Sequence, residues 1–295
     1  MKTEVSEMEE RKGKGEVMCG TLDLTALPLD CVTLIISLTS PRDACRLSLV
    51  STAFNSAAES DAVWESFLPS QYQELIPSSL SFSSKKQLYL SLCENPLLIE
   101  AGRKSFWLER VSGKKCYMLS PRDLSIIWSD NTPDYWRWVS IPEARFDEVA
   151  ELRSVCWFEI RGRISISMLS PMTHYKAYLV FQPNDVYGFD YFPVNLSVGV
   201  VGTEGSKRSA YLQPRKERRR RLYWPIREEQ PTPGDDVQFP KARVDKWLEV
   251  EMGEFFNEGC VDDGELEMSA VEIEGGNRKG GLIVQGIEIR AITPT

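Results

Sequence analysis

"LPLDCVTLIISLTSPRDACRLSLVS", Leu27 to Ser51, carries more aliphatic side chains than a segment of its length can hide within itself. Val32, Ile35, Ile36 and Thr39 recur at i, i+3, i+4 and i+7, the period of a helix. Pro28 suits a first helical turn, and Pro41 disfavours helical backbone at Ser40, so this helix ends near Thr39. Ser40 then caps a second helix, with Pro41 at its first position, Asp43 in its first turn, and Ala44, Leu47 and Val50 along it. Ser51 or Thr52 caps a third helix bearing Phe54, Ala57 and Ala58, and Ser60 or Asp61 opens a fourth presenting Val63, Trp64, Phe67 and Leu68. The spacing predicts an all-α module over residues 20–68. A module of roughly fifty residues is marginal on its own. Yet Leu27, Leu29, Val32, Leu34, Ile35, Ile36 and Leu38 occupy more than one face of its first helix. The surplus either packs on the rest of the chain or forms an exposed patch for a partner, and periodicity leaves both open.

Upstream, residues 1–19 are polar and of mixed charge, the composition of a disordered tail. Downstream, residues 69–103 connect the module to the rest of the chain. "PSQYQELIPSSLSFSSKKQ" is rich in Ser and Pro, and "KKQLYLSLCE" reads as a short helix before Pro96. Over residues 104–295 the period becomes two. "WLERVSGKKCYML" reads as a hairpin turning at Ser112-Gly113. "RGRISISML" alternates Ile164, Ile166 and Met168 with Arg163, Ser165 and Ser167. "YKAYLVFQ", bounded by Pro183, is β-branched and aromatic, and "KWLEVEM", "GELEMSAVEIEGG" and "GLIVQGIEIRAI" repeat the alternation between glycine turns. Many short strands without intervening amphipathic helices predict an antiparallel all-β sandwich, so the whole chain is α+β and multidomain.

Composition narrows the function. The 295 residues are 42% hydrophobic with a net charge of -8, which suits packed globular domains and excludes general nucleic-acid binding. No apolar run reaches the ~18 residues of a membrane span, and the N-terminus lacks the apolar core of a signal peptide. The seven cysteines are dispersed without CxxC spacing, as in a reduced cytosolic or nuclear protein, where the Asn195-Leu196-Ser197 sequon stays unused. His174 is the only histidine, which counts against His-dependent triads and multi-His zinc sites, and no G-x-S-x-G, P-loop or dinucleotide fingerprint is present. The chain is therefore expected to be no enzyme and to need no cofactor or metal. The acidic run "DDGE" (Asp262 to Glu265) lacks the spaced ligands of a calcium loop. Arg215, Lys216, Arg218, Arg219, Arg220 and Arg221 form a basic cluster that is a nuclear-localisation signal or a solvated loop.

"LSIIWSDNTPDYWRWVSI" gathers Trp128, Tyr135, Trp136 and Trp138, broken by Asp130, Asn131, Pro133 and Asp134, which mark a loop. The aromatics are either a stacking platform for a sugar or plugs for the end of the core.

Two resemblances bear on these alternatives. Leu27-Pro28, Ile35-Ile36, Ser40-Pro41-Arg42-Asp43, Cys45-Arg46, Val50-Ser51, Phe54 and Val63-Trp64 resemble an F-box. That implies docking on a Skp-type adaptor of a cullin-RING ubiquitin ligase, with Leu27, Pro28, Leu29, Ile35, Leu38, Pro41 and Leu47 as contact positions. "SPRDLSIIW", "YWRW", "EVAELRSVCWFEIRGRI", "YKAYLVF", "WLEVEMGEFFN", "DGELEMSAVEI" and "GLIVQGIEIR" are similar, in order, to the phloem-protein-2 domain of Nictaba-type plant lectins. Together they resemble the plant F-box phloem-protein-2 family. This implies a jelly-roll-like sandwich, a location in cytoplasm and nucleus, and N-acetylglucosamine oligomers or N-glycan structures as ligands. It also implies a pocket with Trp128, Trp136, Glu265 and Glu272. The stretch from Asn184 to Asp245, carrying "VYGFDYFP" and "REEQPTPGDD", departs from the free lectins as a longer loop that can reshape the pocket. The expected role is substrate receptor of a ubiquitin ligase, recruiting a glycan or glycoprotein. A receptor for a protein substrate without sugar, and a ligase-free lectin, stay open beside it.

Overall fold

The computed structural model describes residues 27–77, 80–130, 132–214, 237–259 and 264–292. The expected tail over 1–19, the basic cluster Arg215 to Arg221, "REEQPTPGDD" and Asp262-Asp263 lie outside the described residues. Six helices open the described chain: α1 (Leu29–Ser37), α2 (Pro41–Leu47), α3 (Thr52–Ala58), α4 (Asp61–Phe67), α5 (Tyr72–Leu75) and α6 (Lys85–Glu94). Serines start four of them. The hydroxyls of Ser40, Ser51, Ser60 and Ser84 accept the amide N–H of Asp43, Phe54, Ala62 and Gln87. Each such cap is worth about 1 kcal/mol to a short helix. Val32 and Ile36 of α1 face inward onto Ala44, Phe54, Ala57, Val63 and Trp64. The indole N–H of Trp64 donates to the Ala58 carbonyl at 2.7 Å, which satisfies the one polar group of that buried ring.

The 69–103 connector takes a larger part than a link. Leu88, Tyr89 and Leu92 of α6 complete the helical core, with the Trp64 and Tyr89 rings 5.2 Å apart. Beyond Pro96 the chain already enters a sheet, because β1 (Leu97–Ile99) pairs antiparallel with β2 (Lys104–Leu108). The turn from β2 to β3 (Lys115–Leu119) drives into the helical module. Tyr89 donates its hydroxyl toward the carbonyls of Glu109 at 3.2 Å and Arg110 at 3.1 Å, and the Arg42 amide donates to Val111 O at 3.4 Å. At the tip Gly113 has φ +70°, and a Cβ there would lie 3.3 Å from Phe67 O and 3.5 Å from Pro41 Cγ. The helical module and the sandwich are thus packed together through this hairpin.

The remaining strands are β4 (Ser125–Ile126), β5 (Trp136–Val139), β6 (Val149–Leu152), β7 (Phe158–Ser165), β8 (Thr173–Tyr187), β9 (Val194–Val200), β10 (Ser206–Ala210), β11 (Val237–Gln238), β12 (Lys241–Ala242), β13 (Leu248–Asn257), β14 (Glu265–Glu272) and β15 (Gly280–Ala291). One sheet runs β1-β2-β3-β15-β8-β13-β12, with β6 also on β15 and β5 on β6; the other runs β11-β10-β9-β14-β7-β4. Pairing is antiparallel except between β10 and β11, which are parallel. Phe158, Ile160, Leu196 and Met268 of the second sheet meet Leu179, Phe181, Met252 and Ile289 of the first in the buried layer. Three details differ from the sequence reading. The alternation expected through Ile166 and Met168 stops at Ser165, and Ile166–Met168 form a single 3-10 turn. Pro183 does not bound a strand: β8 runs through it to Tyr187, pairing Pro183 with Leu282. The stretch from Asn184 to Asp245 is no single loop, since it carries β9, β10, β11 and β12. β8 runs past the proline because the long β15 gives it hydrogen bonds there, whereas β9 to β12 form on β14, on one another and on β13. At Gly286, φ +146°, a Cβ would sit 2.0 Å from Leu119 O, so only glycine lets β15 bulge there between β3 and β8.

The shared core predicts that the halves unfold together. Trp64→Ala should cost roughly 3–5 kcal/mol, a large share of a typical total. Urea unfolding followed by helical circular dichroism and by tryptophan fluorescence should shift in concert; two separated transitions would sink the claim.

Candidate ligand-binding cleft

At one end of the sandwich, loops following β4 and preceding β5, β7 and β15 enclose an open cleft of about 580 Å³. Its lining is Trp128, Asp134, Tyr135, Ser154, Val155, Cys156, Trp157 and Arg278. Trp128 is 51% exposed, and Tyr135 and Trp157 nearly as much, so three aromatic rings stand in one opening. Trp128 and Tyr135 meet edge to face with centroids 6.4 Å apart.

Trp128 and Trp157 are each held in place by neighbouring groups. Trp128 has φ +67°, a left-handed backbone that a bulky residue adopts only under constraint. Thr132 supplies part of that constraint, donating its hydroxyl to the Trp128 carbonyl. Trp136 supplies another: its indole N–H donates to Ile127 O at 3.1 Å and its ring stacks 6.4 Å from Phe158. Trp157 donates its N–H to Glu159 at 2.8 Å, and Glu159 also takes the Arg161 guanidinium at 2.7 Å. These bonds, Arg161 first and Trp157 second, hold the Glu159 carboxyl below its ordinary value of 4.5.

The floor of the cleft is tied by backbone bonds between Val155 and Lys279, at 2.9 and 2.8 Å. The Lys279 ammonium, buried, donates to Cys156 O at 2.7 Å and Asn277 O at 3.0 Å and forms an ion pair with buried Glu272. Glu272 also accepts the Gly275 N–H at 2.8 Å.

The four residues expected to share a pocket are therefore placed apart. Trp128 lines the cleft. Trp136, only 2% exposed, lies in the core beneath it, because β5 turns that phase inward onto Phe158. Glu272 stands behind the floor, occupied by Lys279. Glu265 lies at the far end of β14, seven residues and so roughly 23 Å from Glu272, where it is exposed and 3.7 Å from Arg163. Tyr135 and Asp134, read from sequence as part of the aromatic loop, line the cleft, and Trp157 and Arg278, not singled out from sequence, complete it. Trp157 carried a legible signal: it shares the outward phase of Glu159, Arg161 and Arg163 along β7, where an aromatic is out of place. The His174 ring packs tilted against Phe256, with centroids 4.4 Å apart, and is not among the residues lining the cleft. Among the described residues no group of three or more His, Cys, Asp or Glu could hold a metal ion.

The helical module offers a second surface. Leu27, Pro28, Leu29 and Ile35 are exposed and Leu38 is 79% exposed. Pro41 is buried against the Gly113 turn and Leu47 packs on the core, so these two serve the module itself. Leu34, Leu49 and Val50, not among the expected contact positions, extend the exposed aliphatic set.

A family profile described as Phloem protein 2 matches residues 114–291, and one described as F-box domain matches residues 24–66. F-box protein PP2-B10 of Arabidopsis thaliana is 52% identical over 267 residues, 90% of this chain and 93% of that protein. F-box protein PP2-B1 of the same plant is 48% identical over 299 residues, covering 90% and 89%. The chain belongs to the F-box phloem protein 2 family. In this member the F-box carries the exposed aliphatic set and the phloem protein 2 domain carries the aromatic cleft.

The buried Glu272–Lys279 pair predicts that Lys279→Met costs roughly 3–5 kcal/mol by stranding a buried carboxylate. Adding Glu272→Gln to it should recover much of the loss, whereas Glu265→Gln alone should stay within about 0.5 kcal/mol. Denaturant midpoints of the three variants decide this; a Glu265→Gln cost equal to that of Lys279→Met, or no recovery in the double variant, would overturn the assignment. Glu159 gives a pH signature. Its folded value is depressed, so its clamp on Trp157 is complete above pH 4.5 and is lost as pH falls through the lower folded value. The fluorescence difference between the native protein and Trp157→Phe should hold flat from neutrality to that point and change below it. A change near neutrality would show that another group sets the indole's environment.

Proposed function

We propose that this protein is the substrate receptor of an SCF-type cullin-RING ubiquitin ligase, whose F-box docks a Skp-type adaptor and whose cleft recruits a glycan or glycoprotein. The observation that carries the reading is the exposure of Leu29, Leu34, Ile35, Leu38, Leu49 and Val50 on a module whose other side is packed against the sandwich. A small monomeric unit gains nothing from that much bare aliphatic surface, and an adaptor would remove it from water. The cleft supports the recruiting half. A pyranose presents a C–H face that stacks on an indole and hydroxyls around its edge, and Trp128, Tyr135 and Trp157 supply faces while Asp134, Ser154 and Arg278 supply acceptors and donors. N-acetylglucosamine oligomers and N-glycan cores are the ligand class proposed. The receptor performs no bond chemistry in this reading; it raises the local concentration of an acceptor lysine near the ligase machinery. Cytoplasm and nucleus are the proposed compartments.

Leu38→Asp or Ile35→Asp should abolish capture of a purified Skp-type adaptor while leaving the sandwich folded. Trp128→Ala should remove saturable binding of chitin oligomers with adaptor capture intact. Adaptor capture unchanged by both aspartates would end the ligase reading. A folded native protein binding no chitin oligomer or N-glycan core would shift the cleft to a protein ligand.

A further inference from the structure

The outward face of the β11-β10-β9-β14-β7-β4 sheet holds a groove of about 670 Å³ that none of the site residues above explains. Two rungs of side chains define it. Ser209, Asn195, Val271 and Glu159 stand side by side on β10, β9, β14 and β7, and Lys207, Ser197, Ser269 and Arg161 form the next rung. The middle of each rung is small, while Glu159, Arg161 and Glu267 build a wall along one side, fixed by ion pairs at 2.7 and 3.0 Å. The floor is rich in hydroxyls. Ser197 and Ser269 lie Oγ to Oγ at 2.7 Å, and Ser209 reaches the Asn195 amide oxygen at 3.4 Å. A hydrogen-bonded pair of hydroxyls uses one proton, so one O–H and free lone pairs remain for a ligand.

The groove and the aromatic cleft share no lining residue and lie on either side of Glu159. Trp157 lines the cleft and is bonded to Glu159 at 2.8 Å. Glu159 faces Val271 across the β7–β14 ladder, and Val271 lines the groove. From Glu159 to Ser209 the rung spans three strand spacings, roughly 14 Å, beyond the reach of one sugar held at Trp157.

We infer that the sheet face is a second subsite for the same ligand, and that an extended oligosaccharide seated on Trp128 and Trp157 runs on across the hydroxyl rungs of β14, β9 and β10. The inference rests on the glycan reading of the cleft and deepens it: the ligand class is a linear, hydroxyl-rich oligosaccharide of several residues. Sugar hydroxyls match a floor of Ser and Asn side chains, and the two cations that also line the groove, Lys207 and Arg208, are already paired with Glu204 and with Glu251 and Glu254.

Titration calorimetry of the full chain with chitin disaccharide and octasaccharide tests this, using native protein, Ser197→Arg and, at a more exposed position, Asn195→Arg. Filling the groove should lower octasaccharide affinity about tenfold in at least one variant. Disaccharide affinity should be unchanged, which also reports an intact fold. Repeated registers on the longer chain are common to all three proteins and cancel. Unchanged octasaccharide affinity in both variants overturns the inference while leaving the cleft reading in place. Loss of both ligands in both variants also overturns it, since groove and cleft would not be separable. If the native protein binds neither saccharide, the cleft reading fails and the inference with it.

Discussion

The insertion of one β-turn between helices sets the relation of everything else. The Glu109–Lys114 turn fits there because Gly113 offers no side chain at a left-handed backbone position against Phe67 O, and because Tyr89 supplies a hydroxyl for the turn's carbonyls. Glu109 folds the tip on itself, its carboxylate accepting the Val111 and Ser112 amides at 3.1 and 2.7 Å. A helical module too small to be secure alone thereby borrows a core from the sandwich. In the proposed role this matters mechanically. A receptor that works by proximity gains from a fixed span between its adaptor surface and its ligand cleft, because each floppy joint dilutes the effective concentration.

The same economy of backbone constraint shapes the cleft. Trp136 gives up exposure and holds the Ile127 carbonyl, which keeps Trp128 in a backbone region it would otherwise leave. Glu272 gives up contact with solvent and holds Lys279, which in turn holds the Cys156 carbonyl. Two side chains that resemblance implies as ligand contacts are thus props one layer deeper. A buried pair of this kind adds little net stability, yet it fixes the positions of the segments that converge on it.

The helical half was closely legible. Ser40, Ser51 and Ser60 cap where the sequence places the caps, since capping is local and depends on a few adjacent residues. The β half was legible as alternation, and the strands around Val250, Met268 and Ile289 fall where the period of two puts them, while the one read through Ile164 to Met168 ends at Ser165. Less legible were β9 to β12 and the passage of β8 through Pro183, because both depend on long-range partners that no local window contains.

What the sequence by itself determined is the kind of each element: period and caps for the helices, alternation for the strands, and an aliphatic surplus around Leu38 too large for the module to bury. What only the tertiary structure decided is which aromatic faces water. Trp128, Trp136 and Trp157 are alike as residues, and loop composition alone does not rank them. Pairing of β5 with β6 turns Trp136 into the core, whereas Trp157 keeps the outward phase of β7 and Trp128 is held at a positive φ. A side chain's direction in a strand is fixed by register, and register is a property of the partner strand as much as of its own sequence.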